Sequence, residues 1–256
     1  MLKTTFVYLH IAERPEEFVP YSKRFVDTYR QFPPGIEHEL IVVSCAGVLN
    51  QQARDIFGPL NCKFDEYLEG GWDIGAHQFM AGRVDCDFMV CCTSRTYFWK
   101  ANWLRRFVEA REQQGEGLYG AAGSYEISPH IRTCFYGVNP KIYREFPHKI
   151  NSRPRGVYFE RGKWNFTRWF EERGGRTWMV TWDGVYPKSD WRSPVNIFRR
   201  GDQTNLVAWD KHSKAYAQAT PGQRKELENQ ADGLYCGYLG KFRHFCDRYV
   251  FHKFRQ

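Results

Sequence analysis

The chain predicts an α/β fold: an open, mostly parallel twisted sheet with helices on both faces and a loop-rich C-terminal extension. Three observations carry that expectation. Strand-like and helix-like segments alternate from Thr5 to about Val138. The run Glu39 to Cys45 places Leu40, Ile41, Val42 and Val43 in succession, apolar on both faces, as a strand of a parallel sheet covered on both sides must be. At 256 residues the chain is near the upper limit of one hydrophobic core. One α/β unit over 1–184 followed by an extension over 185–256 is therefore expected.

The elements follow from local patterning. Thr5 to His10 is a β-branched and aromatic run, the first strand. After the polar loop Ile11 to Pro15, the segment Glu16 to Phe32 repeats Phe18, Tyr21, Phe25 and Tyr29 at helical spacing. Pro33, Pro34 and Gly35 stop it. Asn50 to Phe57 reads as a short helix and Cys62 to Leu68 as a short strand. Ile74, Ala76, Phe79, Met80 and Val84 suit a further helix, Phe88 to Cys92 a buried strand, and Trp99 to Gln113 a helix with Trp103, Leu104, Phe107 and Val108 inward. Leu118 to Ala122 and Cys134 to Val138 are expected strands, the second entering a short helix near Tyr143. Lys163 to Glu172 carries Phe166, Trp169 and Phe170 on a helical face, Gly174 and Gly175 end it, and Arg176 to Trp182 is a strand. Past Asp183, Pro187, Pro194 and Gly201 divide the chain into loops. A polar helix candidate begins at Gln223 and passes into a tail rich in Tyr, Phe, Arg and His.

Composition narrows the function classes. A formal charge of +8 fits an anionic partner: nucleic acid, an anionic membrane face or a nucleoside diphosphate. The aromatic share of 17%, with nine Trp, suits sugar faces as well as a dense core. Eight cysteines form no CxxC pair and no zinc-ligand spacing. Cys91 and Cys92, adjacent in an apolar run, read as small buried hydrophobes on opposite faces. MLKTTFVYLH enters a strand without a signal-peptide core, and no apolar run approaches a membrane span, so a reducing cytoplasmic location is expected.

The segment EGGWDIGAHQFMAGRVDCDFMVCCTSR, Glu69 to Arg95, carries the most chemistry. Asp73 and Gly75 open a helix, where Gly allows close backbone approach and the helix start favours a phosphate or a ribose-facing acid; Asp73 could equally cap the helix. The acids of DCD, Asp85 and Asp87, precede the strand rather than follow it and belong to a helix-to-strand turn. Together with Tyr158 to Gly184, this order of loop, helix, strand and polar loop resembles the nucleotide-sugar half of GT-A glycosyltransferases, of the surface-polysaccharide or rhamnosyltransferase-like kind. The resemblance covers about Thr5 to Gly184 in element order, with motif identity confined to those two stretches.

That resemblance implies an inverting transfer of a hexosyl or deoxyhexosyl group from a nucleotide diphosphate donor to a saccharide or lipid-linked saccharide. The loop expected to carry a metal-binding DxD reads Thr93, Ser94, Arg95, so no cofactor is required by the pattern, and a divalent Mg or Mn, though possible in the family, finds no support there. Arg95, assisted by Arg132 or Arg200, is then the expected partner of the departing diphosphate; one cation contact at an effective dielectric of 20 is worth about 4 kcal/mol before desolvation. By the same resemblance Glu160 is the candidate general base, an acid just before a helix, and Asp73 holds the nucleotide side. His130 of PHIRT and Asp202 and Gln203 of RRGDQTN are further candidate contacts, each with an ordinary structural alternative.

Two rivals remain in the sequence. A nucleotidyltransferase would want a glycine-rich loop after the first strand, and Ile11 to Pro15 has no glycine. A non-catalytic nucleic-acid binder would want a basic stripe with interleaved aromatics, which Lys241 to Arg255 supplies; that tail suits peripheral contact with an anionic membrane equally, and nucleic acid is the less favoured partner.

Overall fold

The computed structural model describes residues 2–193 and 197–234. The tail from Lys241 to Arg255 lies outside the described residues. In chain order the strands are β1 (Thr4–Ile11), β2 (Glu39–Cys45), β3 (Lys63–Tyr67), β4 (Phe88–Cys92), β5 (Leu118–Gly120), β6 (Gly123–Ser124), β7 (His130–Ile131), β8 (Phe135–Val138), β9 (Thr177–Val180) and β10 (Val185–Pro187). The helices are α1 (Pro15–Gln31), α2 (Gln51–Phe57), α3 (Trp72–Ala81), α4 (Trp103–Gln114), α5 (Pro140–Glu145), α6 (Arg153–Arg161), α7 (Phe166–Glu171), α8 (Lys211–Ala217) and α9 (Pro221–Ala231).

Eight strands form one mixed sheet in the order β10-β9-β5-β8-β4-β1-β2-β3. Strands β3, β2, β1 and β4 run parallel, and β8 runs antiparallel between β4 and β5. Side-chain alternation divides the core cleanly. Val7, Leu9, Ile41, Val43, Met89 and Cys91 face α3, α5, α6 and α7, while Phe6, Tyr8, Leu40, Val42, Val90 and Cys92 face α1 and α4. The adjacent Cys91 and Cys92 therefore point into opposite layers, both fully buried.

Where boundaries moved, backbone conformation explains it. The helix expected from Trp99 begins only at Trp103, because Asn102 adopts φ 68° and donates its N–H to the carbonyl of Pro33. Arg153 to Arg161 is a helix in its own right, started by Pro154 and ended at Gly162, so Glu160 sits in its last turn rather than before a helix. The extension is not separate from the sheet. Strand β10 pairs with β9, and the segment after it returns across the strand ends through the bridges Thr181 to Leu206 and Tyr97 to Trp209. Both Trp99 and Trp182 donate their indole N–H to the carbonyl of Leu206, pinning that strap.

Asp85 and Asp87 close the turn into β4, as read from their position. Asp87 accepts the backbone N–H of Lys3 at 2.9 Å and Asp85 its ammonium at 2.7 Å.

Candidate functional site

The order of strands dictates where a ligand would sit. From β1 the chain moves through α1 to β2 and β3, then returns through α3 to β4 on the other side of β1, so the strand order reverses between β1 and β4. In open sheets of this kind the crevice lies beyond the carboxyl ends of the strands at that reversal.

Backbone strain marks the same edge. Arg14, Ala46 and Trp72 hold positive φ of 56°, 57° and 51°, and each lies just past the carboxyl end of β1, β2 or β3. Such conformations cost non-glycine residues on the order of 1–3 kcal/mol each, and they persist where surrounding structure fixes them.

Asp73, in the first turn of α3, is half-buried and accepts the N–H of Ile74 at 3.0 Å. Burial, and then the charge of Asp73, push up the Cys45 thiol at the end of β2. Burial, then the charge of Glu160, push the Asp73 carboxyl above its ordinary value against the backbone N–H groups and the Lys211 ammonium. Gly75 does not cradle an anion. A Cβ there would lie 2.4 Å from the carbonyl oxygen of Ile150 and 2.6 Å from the Tyr67 hydroxyl, so the glycine serves helix packing.

Glu160, in the last turn of α6, acts on Asp73 through its charge. Its Oε1 accepts the Thr133 hydroxyl at 2.8 Å and the Thr133 N–H at 3.2 Å, and its side chain is 13% exposed. Burial alone would raise this carboxyl, but Arg161, Arg132 and His130, with the Thr133 hydroxyl, outweigh it and hold the group at about 2. The two guanidiniums, Arg161 and Arg132, also answer a helix C-terminus that would otherwise repel a carboxylate. Beneath them the fully buried Glu126 meets Arg161 at 2.9 Å and Arg132 at 4.0 Å.

The loop Thr93 to Arg95 borders the same region. The Thr93 N–H and the Thr96 hydroxyl both donate to the carbonyl of Cys134, beside Thr133, and the Tyr8 hydroxyl donates to the carbonyl of Ser94. Arg95 pairs with Glu17 and stacks over Phe18 at 4.7 Å and Tyr21 at 5.2 Å. It stands at the strand-order reversal, with a carboxylate already on it.

The other expected contacts lie elsewhere or serve the fold. His130 is fully buried; its Nδ1 bonds the carbonyl of Ser128 at 2.8 Å, and burial lowers its pKa to about 4, so it is a neutral interior ring rather than a phosphate contact. Arg132 is buried over the Phe198 ring at 4.4 Å and acts on Glu160 from inside. Arg200 is taken by Asp232. Asp202 is exposed and accepts the Thr204 N–H and hydroxyl in a tight turn. Gln203 is fully buried, donating to the carbonyl of Ser213 at 2.9 Å. The loop Arg199 to Asn205 thus braces the strap instead of reaching a ligand.

Sequence reasoning missed Lys211, an exposed residue whose charge acts on Asp73, and the cationic partners Arg14 and Arg153 of Trp72. Only the WDKH run hinted at the first. Among the described residues no three His, Cys, Asp or Glu side chains come together to hold a metal ion. Thr93, Ser94 and Arg95 supply two hydroxyls and a guanidinium but no carboxylate. Among those residues no helix is long and apolar enough to cross a membrane.

No protein-family model matches the chain, and no curated protein matches it. Solved structures resemble it in overall fold. A mannosyltransferase, PcManGT from Pyrobaculum calidifontis, solved with GDP-Man and Mn²⁺, is 10% identical over 99% of this chain and 81% of that one, with a TM-score of 0.48. HddC from Yersinia pseudotuberculosis is 15% identical over 59% and 83%, with a TM-score of 0.43. The galactosyltransferase LgtC, solved with donor and acceptor sugar analogues, is 12% identical over 57% and 60%, with a TM-score of 0.43.

Proposed function

We propose that the chain is a glycosyltransferase that moves a sugar from a nucleotide diphosphate donor to a saccharide or lipid-linked saccharide, with inversion and without a divalent ion. One observation supports the reading: two carboxylates from distant segments, Asp73 and Glu160, are shifted in opposite directions, and the charge of Glu160 acts on Asp73. Titratable groups driven apart in this way are how a site divides roles between carboxylates.

That division reverses the one drawn from sequence. A group held at about 2 is a poor proton acceptor near neutral pH, whereas a raised carboxyl is a better one. Asp73 is therefore the base. It takes the proton from the acceptor hydroxyl as that oxygen bonds to the anomeric carbon and the bond from that carbon to the diphosphate oxygen breaks, its electron pair leaving with the nucleotide. Glu160, permanently ionised, holds the Thr133 hydroxyl and orients the acceptor side. Arg95, released from Glu17, receives the departing diphosphate. In-line displacement requires Arg95 and the base on opposite sides of the reacting carbon.

The test is a thermal-shift screen of nucleoside diphosphates and their sugars on the intact chain, followed by turnover of the donor that binds. A ligand at a hundred times its dissociation constant stabilises by about 2.7 kcal/mol. Donor consumption that persists in EDTA supports the reading. If no nucleotide stabilises the protein, or chelation abolishes transfer and Mn²⁺ restores it, the site has been misread.

A further inference from the structure

Two guanidiniums from different strand ends share one carboxylate. Arg14 lies just past β1 and Arg95 just past β4, the strands between which the order reverses. Glu17, in the first turn of α1, sets its Oε1 on Nη2 of Arg95 and its Oε2 at 3.0 Å from Nη1 of Arg14. Both guanidiniums also approach the Phe18 ring, Arg95 at 4.7 Å and Arg14 at 5.5 Å from its centre. The trio carries one net positive charge. Its side chains are 41% exposed at Arg14, 35% at Glu17 and 21% at Arg95, so a solute can reach all three.

Like charges within reach of one carboxylate repel each other, and Glu17 is the group that reconciles them. With one oxygen on each arginine, it stands where two oxygens of a phosphoryl group would stand. A guanidinium offers five N–H donors in a rigid fork, more than one carboxylate oxygen can accept. The amino end of α1 adds to the preference for an anion, and no side chain caps it. Ion pairs this open to water are screened and weak, so a ligand with two or more negative charges neutralises the arginines better than Glu17 does.

We infer that Glu17 is an internal competitor for the diphosphate: its carboxylate holds an oxyanion site made by Arg14 and Arg95, and a diphosphate binds there by displacing it. Arg14 is then the second cation of that site. The inference rests on the proposed diphosphate role of Arg95, but it is read without any sugar transfer.

The experiment is calorimetric titration of the full chain with inorganic pyrophosphate. Glu17→Gln, which keeps the shape and removes the charge, should bind pyrophosphate about tenfold more tightly than the wild type, the scale of two weak ion pairs no longer broken on binding. Glu17→Ala, which removes the side-chain oxygens altogether, separates that gain from any bond the new amide makes to the arginines. Adding Arg14→Ala or Arg95→Ala to Glu17→Gln should cancel the gain. A gain in either Glu17 variant that needs both arginines supports the competition. If neither variant binds pyrophosphate more tightly than the wild type, or if the gain survives loss of either arginine, the inference falls. Tighter pyrophosphate in the variants, with no nucleotide sugar consumed by the wild type, would refute the transferase reading and leave the competition standing. Consumption of a nucleotide sugar with unchanged pyrophosphate binding would do the reverse.

Discussion

The two ends of the parallel strands hold charge in different ways. At the amino ends a groove of about 990 Å³ is bordered by Lys3, Glu39, Lys63, Asp65, Arg83 and Asp85. Those groups pair off simply, Lys3 with Asp85, Lys63 with Glu39 and Arg83 with Asp65, mostly in solvent. At the carboxyl ends, charges are buried or half-buried, two carboxyls are displaced in opposite directions, and three non-glycine residues are strained. The groove lies at the quieter end. Exposed pairs in water are screened and contribute little, whereas an unevenly partnered charge out of water is costly to keep and acts strongly on whatever enters.

The comparison breaks first at Asp73. Replacing it by Asn is expected to reduce turnover by about two to four orders of magnitude while donor binding persists. The same change should raise the melting temperature at neutral pH. With its folded pKa above 3.8, Asp73 ionises more readily in the unfolded chain, so stability falls as pH rises through that range, and Asn removes the loss. Turnover within a few fold of the wild type would deny Asp73 the role of base.

Glu160→Gln should act more on acid stability than on the base step. The folded carboxyl lies at about 2 against 4.5 unfolded, so its contribution is present above 4.5 and is lost as pH falls toward 2. The wild type is then expected to lose melting temperature across that window while the variant changes little, with turnover reduced roughly ten- to hundredfold through a lost charged hydrogen bond. Identical acid limbs would place the stabilising charges elsewhere.

Arg95→Ala should weaken nucleoside diphosphate binding by about 1.5–3 kcal/mol, the usual size of a charge-assisted bond, without altering acceptor affinity. The smallest effect belongs to the other edge: Lys3→Ala combined with Asp85→Asn should leave turnover unchanged and melting nearly so. Loss of activity in that double variant would mean the amino-end groove carries function after all.

Much of the fold was legible because burial on both faces leaves an unambiguous pattern. The strands Glu39–Cys45 and Phe88–Cys92 fall where their apolar runs begin and end. Glu160 was misplaced because RPRGVYFER contains a proline and a glycine and reads as a connection, yet Pro154 lies in the first turn of a helix, where its missing N–H costs nothing. The motif RRGDQTN looked polar and free, but Arg199 and Gln203 are buried beneath the strap and Arg200 is paired with Asp232. A string of letters records which side chains can ionise and not which are already answered.

By itself the sequence determined the alternation of strands and helices, the doubly covered parallel sheet, the turn made by Asp85 and Asp87, and the opposed burial of Cys91 and Cys92, because each depends on periodicities of two or 3.6 residues that neighbours in the chain enforce. Only the tertiary structure decided that Asp73 and Glu160 share one electrostatic environment, that the Lys211 charge reaches Asp73, and that the Arg14 and Arg153 guanidiniums approach the Trp72 ring. Acidity depends on desolvation and on charges brought near from segments tens of residues apart, and both exist only once the chain has closed around them.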